Sequence, residues 1–140
     1  MQVCVGEKDA AGAARYAGVA CGDGSVALLL LDAPRSPRER TVWALTRAAG
    51  GHTACASHAS FPAFARGAPL LLSAANDGRA LLWEWGAYVA GDASAPRVAA
   101  QAAHGAKVNW AATSGGAAPA ARVYVADTSA TLTAYDVRLG

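Results

Sequence analysis

Charged residues are scarce in this chain of 140 residues: they make up 16% of the sequence and nearly cancel, leaving a net charge of +2. So mild a balance gives no electrostatic reason to expect a specific nucleic-acid partner or an anionic membrane surface. Apolar residues make up 54% of the sequence, which excludes a disordered chain and predicts a globular one.

Cysteines and long apolar runs are also scarce. The chain has three cysteines, an odd count with no close pair, and this predicts a reducing compartment. Glu7, Lys8 and Asp9 interrupt any apolar region near the start, so we expect no signal peptide. The longest strongly apolar run, 26–31, is far too short for a transmembrane helix. We therefore expect an intracellular protein, in the cytoplasm, the nucleus or both.

Catalytic motifs are missing as well. There is no Gly-x-Ser-x-Gly elbow and no phosphate-binding glycine-rich loop before a helix. We find no set of nucleophile, base and orienting group, so we expect neither an enzyme nor a cofactor. The segment His52-x-x-Cys55-x-x-His58 holds three potential metal ligands. On a strand Cys55 points away from both histidines, and zinc prefers four ligands, so we expect no metal site.

A tight turn followed by an apolar strand is the most informative feature present. Asp77-Gly78 is a dipeptide that joins two antiparallel strands, and the strand after it ends in Trp83-Glu84. A buried Trp needs a partner for its one N–H group. His52, Ser73 and Asp77 can supply a hydrogen-bond chain that ends at Trp83, and we expect a structural role for all four.

The same features recur along the chain. His52 and His104 are 52 positions apart, as are Trp83 and Tyr135, while Asp23 and Asp77 are 54 apart. The turn signals, among them Asp23-Gly24 and Asp77-Gly78, and the apolar runs predict strands and no helix of useful length. The continuous apolar runs 26–31 and 70–72 predict central strands covered on both faces. The predicted strands are 2–5, 16–21, 25–31, 41–47, 54–61, 69–74, 79–85, 97–101, 107–113, 122–126 and 132–137. The intervening segments 33–40, 86–96 and 114–120 are predicted loops.

The recurring unit resembles a WD repeat, the four-stranded blade of a β-propeller. The order of motifs is also similar to the C-terminal half of the WD repeat-containing protein 53 family. The motifs that carry this likeness are Ala20-Cys21-Gly22-Asp23-Gly24-Ser25-Val26, Gly51-His52-Thr53, Asn76-Asp77-Gly78, His104-Gly105-Ala106-Lys107-Val108-Asn109-Trp110 and Val125-Ala126-Asp127. The resemblance implies an intracellular, non-enzymatic propeller.

We therefore predict an all-β chain forming one partial β-propeller over residues 1–140. Its units are a first blade at 1–47, a second at 48–101 and an incomplete third at 102–140 that lacks a fourth strand. Because propellers close with four to eight blades, three cannot form a ring. The expected explanations are a fragment of a longer protein, a truncated gene model, or a ring completed by another copy or partner.

Two groups of residues are candidates for partner binding. Tyr135-Asp136-Val137-Arg138 resembles the blade ending of substrate receptors in cullin-RING ubiquitin ligases, which implies docking on a ubiquitin-ligase adaptor. Lys107 and Asn109 are expected at the channel or its rim, and Trp110 in the core. The leading interpretation is a protein–protein interaction scaffold, with the ligase receptor as its narrower form. The alternative is a structural subunit whose partial propeller is completed by neighbours in a large assembly.

Overall fold

The computed structural model describes residues 2–6, 15–31, 41–46, 50–65, 68–115 and 121–138. Strands hold 54% of these residues and helices 7%, which confirms the predicted all-β class. The strands are β1 (Gln2–Val5), β2 (Tyr16–Ala20), β3 (Val26–Leu30), β4 (Thr41–Leu45), β5 (Ala56–Ser60), β6 (Leu70–Ala75), β7 (Arg79–Glu84), β8 (Arg97–Ala103), β9 (Val108–Thr113), β10 (Arg122–Asp127) and β11 (Leu132–Asp136). Each end lies within two residues of its predicted position.

The strands form three separate antiparallel sheets. The first has the order β1-β2-β3-β4, the second β5-β6-β7-β8, and the third β11-β10-β9. Within the described residues none of the sheets closes into a barrel, and the third sheet has three strands. Within each sheet, hydrogen-bonded strands are consecutive in sequence. Short turns connect β2 to β3, β6 to β7 and β10 to β11.

Two of the connecting turns are the predicted Asp-Gly turns. Gly24 has a φ of +90° and Gly78 a φ of +77°, in the left-handed region that glycine adopts without steric cost. The third turn places Ala130 at a φ of +61°. A side chain at Gly24 would put its Cβ 2.5 Å from the carbonyl oxygen of His52, so the turn requires glycine for space as well.

The second sheet lies in the middle and has apolar neighbours on both faces. All six residues of β6 are buried. Because side chains alternate along a strand, Leu71 and Ala75 pack toward the first sheet while Leu70, Leu72 and Ala74 pack toward the third. This agrees with the prediction that the apolar run 70–72 belongs to a central strand covered on both faces.

Backbone hydrogen bonds join each sheet to the next. The amide of His52 donates to the carbonyl oxygen of Gly24 at 3.1 Å, and the amide of His104 donates to that of Gly78 at 2.6 Å. The Ser57 hydroxyl donates to the carbonyl oxygen of Val108 at 2.6 Å. Strand β5 thus lies between β1 and β2 on one side and β9 on the other.

The structure corrects three expectations. A short helix, α1 (Gly86–Ala90), begins the predicted loop 86–96, and a 3-10 helix spans Ala63–Ala65. Strand β8 continues to Ala103, two residues past the predicted end of the second unit. The run 26–31 is not covered on both faces: Val26 and Leu28 are buried, but Leu31 is 38% exposed.

Some expectations lie outside the described residues. The predicted loop 33–40 lies entirely among the residues that the structure does not describe, as does most of 114–120. In the part of the chain that is described, neither helix has the length and apolar character needed to cross a bilayer.

Candidate functional site

The centre of the second sheet contains the four side chains predicted to form a hydrogen-bond chain. Nε1 of Trp83 donates to Oγ of Ser73 at 2.8 Å, and Oγ of Ser73 lies 2.9 Å from Nε2 of His52. Nδ1 of His52 lies 3.2 Å from both carboxylate oxygens of Asp77. A proton on Nδ1 satisfies every group, because Nδ1–H then donates to Asp77 and Nε2 accepts from Ser73.

Asp77 anchors the outer end of the chain. Its Oδ2 accepts from the amide of Thr53 at 2.9 Å and from Nη2 of Arg79 at 2.9 Å. Burial acts to raise the pKa of Asp77, but the Thr53 amide, the Arg79 guanidinium and His52 together outweigh it and lower that pKa. Burial lowers the pKa of His52, and Asp77 opposes it only in part. The stable pair is therefore a neutral imidazole beside a carboxylate.

The order hydroxyl, imidazole, carboxylate is that of a nucleophilic triad. However, His52 and Ser73 are completely buried, and Oγ of Ser73 already accepts from Trp83. A nucleophile must reach its substrate, and a hydroxyl enclosed in this way offers no surface to one. In this geometry the hydrogen-bond chain stabilises the second sheet, because it links His52 and the turn at Asp77 to Ser73 of β6 and Trp83 of β7.

A second histidine-centred chain lies in the third sheet, where no chain was predicted. Nε2 of His104 lies 2.8 Å from Oδ2 of Asp127, and Nδ1 lies 2.6 Å from the hydroxyl of Tyr135. The side chains of His104 and Asp127 are only 5% and 6% exposed. The hydroxyl of Ser129, with His104 and the Ser129 amide, lowers the pKa of Asp127 to about 2. The signal for this chain was the spacing of His104 and Tyr135 from His52 and Trp83.

The second and third sheets each contain a histidine-centred hydrogen-bond chain, but the two hydrogen-bond chains use different residues. A shift of 52 positions carries the pair Ser73↔Leu81 of the second sheet onto Val125↔Thr133 of the third. Val125 has no hydroxyl to relay a bond, and the Tyr135 hydroxyl reaches His104 directly. The same shift places Ser129 at the position of Asp77. The carboxylate comes instead from Asp127, two residues earlier.

The predicted partner residues at the end of β11 line a groove. It has a volume of about 330 Å³ and lies between β8 and β11. Its lining includes Tyr135, Asp136 and Arg138 from one side and small side chains of β8, among them Ala100 and Ala102, from the other. Nε of Arg122 donates to Oδ1 of Asp136 at 2.9 Å. The small residues of β8 leave the space between the strands open.

The other predicted partner residues lie elsewhere. Lys107 and Asn109 are exposed at the start of β9, which forms the opposite edge of the third sheet from β11. The structure therefore does not bring them together with Arg138. Lys107 directly precedes β9. The Lys107 side chain therefore lies at the end of the third sheet nearest the Asp77-Gly78 turn of the second unit.

The expectation that Trp110 belongs to the core is wrong. Trp110 is 52% exposed, and one face of its ring covers His58, with ring centroids 4.5 Å apart. A β-bulge between Ala126 and Asp127 shifts the register beside Trp110, which turns its side chain outward. His58 is buried beneath it, with Nε2 2.9 Å from the Ser60 hydroxyl, and burial lowers the pKa of His58 to about 4.

Metal ligands and cysteines remain dispersed. Among the described residues no three His, Cys, Asp or Glu side chains are placed to hold a metal ion. Cys4, Cys21 and Cys55 are free thiols and are all half-buried. Burial raises the pKa of the Cys4 thiol, whose sulfur lies 3.5 Å from the Gly18 carbonyl oxygen.

No protein-family model matches this chain, and no curated protein matches it either.

Proposed function

We propose that this chain is part of a WD-repeat β-propeller and acts as a non-enzymatic scaffold for protein–protein interaction inside the cell. The single observation that carries the proposal is the chain from His52 through Ser73 to Trp83, closed by Asp77. A four-stranded sheet with this chain has the composition and connectivity of one propeller blade. Its modified recurrence at His104 supports a second unit of the same kind.

The relation between the sheets also supports the proposal. The second sheet packs one face on the first sheet and the other face on the third. The same amide-to-carbonyl bond links successive units at His52 and at His104. Repeat architectures form when each unit buries its apolar faces against its neighbours. On this proposal the chain is one partial propeller over residues 1–140, with units at 1–47, 48–101 and 102–140.

The end of β11 is the proposed partner surface. Tyr135 is held by His104, and Asp136 is held by Arg122, so this strand end is fixed in position. Arg138 is exposed beside them at the groove. A guanidinium offers a planar set of donors suited to a carboxylate or carbonyl of a partner. The narrower form of the proposal is that this surface docks a ubiquitin-ligase adaptor.

Substitution of Arg138 tests the partner surface. Arg138→Ala is expected to leave the stability of the chain unchanged and to weaken the capture of an adaptor by a factor of about 30 or more, as for an interface hot spot. Arg97→Ala is the matched control, since Arg97 is an exposed strand-end arginine with 69% side-chain exposure that does not line the groove. Equal recovery of an adaptor by parent and Arg138→Ala protein contradicts the ligase-receptor form.

A second candidate function is a structural subunit of a large assembly. The exposed apolar side chains of the third sheet favour it: Trp110 is 52% exposed and Leu132 is 68% exposed. Surfaces of this kind are often covered by a partner. Size-exclusion chromatography separates the two candidates. A stable monomer supports an autonomous scaffold, whereas dependence of solubility on a co-expressed partner supports the assembly subunit.

A further inference from the structure

Two aromatic rings, those of His58 on β5 and Trp110 on β9, meet between the second and third sheets. Their centroids are 4.5 Å apart and their planes are tilted by 57°. His58 is 3% exposed, whereas Trp110 is 52% exposed. The half-exposed indole is therefore a cover that separates the buried imidazole from solvent.

The two nitrogens of the His58 imidazole are unequally paired. Nε2 lies 2.9 Å from Oγ of Ser60. Nδ1 is buried and has no hydrogen-bond partner among the described residues. A neutral ring can donate Nε2–H to Ser60 and leave only the lone pair of Nδ1 unpaired. A protonated ring carries N–H groups on both nitrogens, so its charge and its Nδ1–H group would be buried without an acceptor.

The strands around His58 supply no charge to compensate a proton. Strand β5 packs chiefly against β1, β2, β6 and β9, and within these described strands there is no Asp, Glu, Lys or Arg. Their titratable groups are the Cys4 thiol and the Tyr16 phenol, which pack against the cluster between the first and second sheets, whereas Trp110 belongs to the third. Burial alone accordingly lowers the pKa of His58 to about 4.

The Trp110 side chain is the part of this environment that can move at least cost. Strand β9 forms one edge of the third sheet, and Trp110 pairs with Ala126 beside the β-bulge. By contrast, Ala74, the residue of β6 opposite His58, is completely buried in the middle sheet. Rotation of the half-exposed indole therefore brings water to Nδ1 of His58 without opening a sheet.

We propose that Trp110 is a proton-controlled cover: protonation of His58 releases the indole and hydrates the Nδ1–H group, and loss of the proton restores the covered pair. The attraction between a cation and an indole ring opposes the release, but it is smaller than the cost of burying a charge with an unpaired N–H group. Acidification thus replaces an indole at this surface by a cation beside a released ring. The device lies between β5 and β9 and does not rest on the proposed partner surface at the end of β11.

The two protonation equilibria set the size of the effect. The pKa of His58 is about 4 when the ring is covered, and the hydrated ring of the uncovered form has the ordinary pKa of 6.5. The uncovered form therefore binds the proton at the higher pH, so the ratio of uncovered to covered forms rises as the pH falls below 6.5. These values give a rise of about 30-fold by pH 5 and about 150-fold by pH 4, with a limit of about 300-fold.

Nuclear magnetic resonance on the full chain tests the release directly. The nuclear Overhauser contact between the rings of His58 and Trp110 is followed from neutral pH to pH 4, beside the titration of the His58 ring. We expect the contact to be lost with the same midpoint as the titration, while the contact between the buried rings of Trp43 and Trp83 stays. A contact between His58 and Trp110 that persists through the titration overturns the proposal. Simultaneous loss of both contacts also overturns it, because that is unfolding of the sheets.

Two matched variants test the cover. Trp110→Ala uncovers the imidazole and is expected to move the midpoint of His58 toward 6.5, whereas Trp110→Phe keeps an aromatic cover and a midpoint close to that of the parent chain. Equal midpoints in the two variants overturn the proposal.

A third variant tests the proton itself and does not depend on the folding of Trp110→Ala. His58→Gln keeps a polar side chain that takes up no proton, so the indole N–H signal of Trp110 is expected to become independent of pH between 7.5 and 4. If this signal responds to pH as it does in the parent chain, His58 does not control the cover and the proposal is wrong.

Discussion

The backbone amide of His104 donates a hydrogen bond to the carbonyl oxygen of Gly78 at 2.6 Å, across the boundary between the second and third sheets. Each of these residues also belongs to its own sheet: Gly78 allows the turn after Asp77, and His104 holds Asp127 and Tyr135. The bond therefore joins the turn of one unit to the polar chain of the next. A change at either residue is expected to affect two sheets at once.

Loss of the imidazole of His52 is expected to destabilise the second sheet. His52→Ala removes the acceptor of the buried Ser73 hydroxyl and one donor to Asp77, while Trp83 still donates to Ser73 and Arg79 still donates to Asp77. This loss is expected to cost about 1–3 kcal/mol in the free energy of unfolding. Urea denaturation followed by tryptophan fluorescence measures this cost. Lys107→Ala, at an exposed position, is the control and is expected to cost almost nothing. An equal stability of both variants would show that the chain does not form.

Removal of one oxygen atom tests the chain in the third sheet. Tyr135→Phe removes the hydroxyl that lies 2.6 Å from Nδ1 of His104 and keeps the ring. We expect a loss of about 1 kcal/mol, because one half-buried hydrogen bond is broken and His104 is left with Asp127 alone. Tyr124→Phe is the matched control in the same sheet. The hypothesis fails if the two tyrosine variants have the same stability.

Substitutions at two of the turns are expected to change the stability of the protein in opposite directions. Gly24→Ala places a Cβ 2.5 Å from the His52 carbonyl oxygen at a φ of +90°, and a loss of about 2 kcal/mol or more is expected. Ala130→Gly relieves a residue held at a φ of +61° and is expected to gain about 0.5–1 kcal/mol. Thermal unfolding compares the two variants with the parent chain. A stabilised Gly24→Ala protein would contradict this account of the first turn.

Stability is expected to fall as the pH is lowered from 6.5 toward 4. Burial holds the pKa of His58 at about 4 in the folded chain, below its ordinary value of 6.5. Between these values the unfolded chain binds a proton that the folded chain does not, so His58 contributes stability above pH 6.5 that is lost as the pH falls. The full loss is on the order of 3 kcal/mol, at about 1.4 kcal/mol for each unit of pKa.

Urea denaturation at several pH values measures this dependence, and His58→Gln is expected to flatten it. The dependence of stability on pH that remains in this variant is attributed to His52, whose pKa is also lowered by burial. A midpoint near 6.5 for the His58 ring in a nuclear magnetic resonance titration would show that the ring is not buried beneath Trp110.

Most of the fold can be read from the sequence because its signals are local. Asp23-Gly24 and Asp77-Gly78 specify tight turns through the positive φ that glycine allows, and the apolar runs between turns specify strands. The chain from His52 to Trp83 could be foreseen for the same reason, since its residues stand at recognisable positions relative to one turn. The helix Gly86–Ala90 could not, because it carries no capping side chain.

The sequence by itself determined the strands, the turns and the composition of the first polar chain. Only the tertiary structure decided how the units meet: that Trp110 turns outward over His58, that Asp127 replaces the carboxylate missing at Ser129, and that a groove lies between β8 and β11. The reason is physical. A turn depends on the φ of one or two residues, whereas a bulge, a shifted partner or a groove depends on groups brought together from strands far apart in the chain.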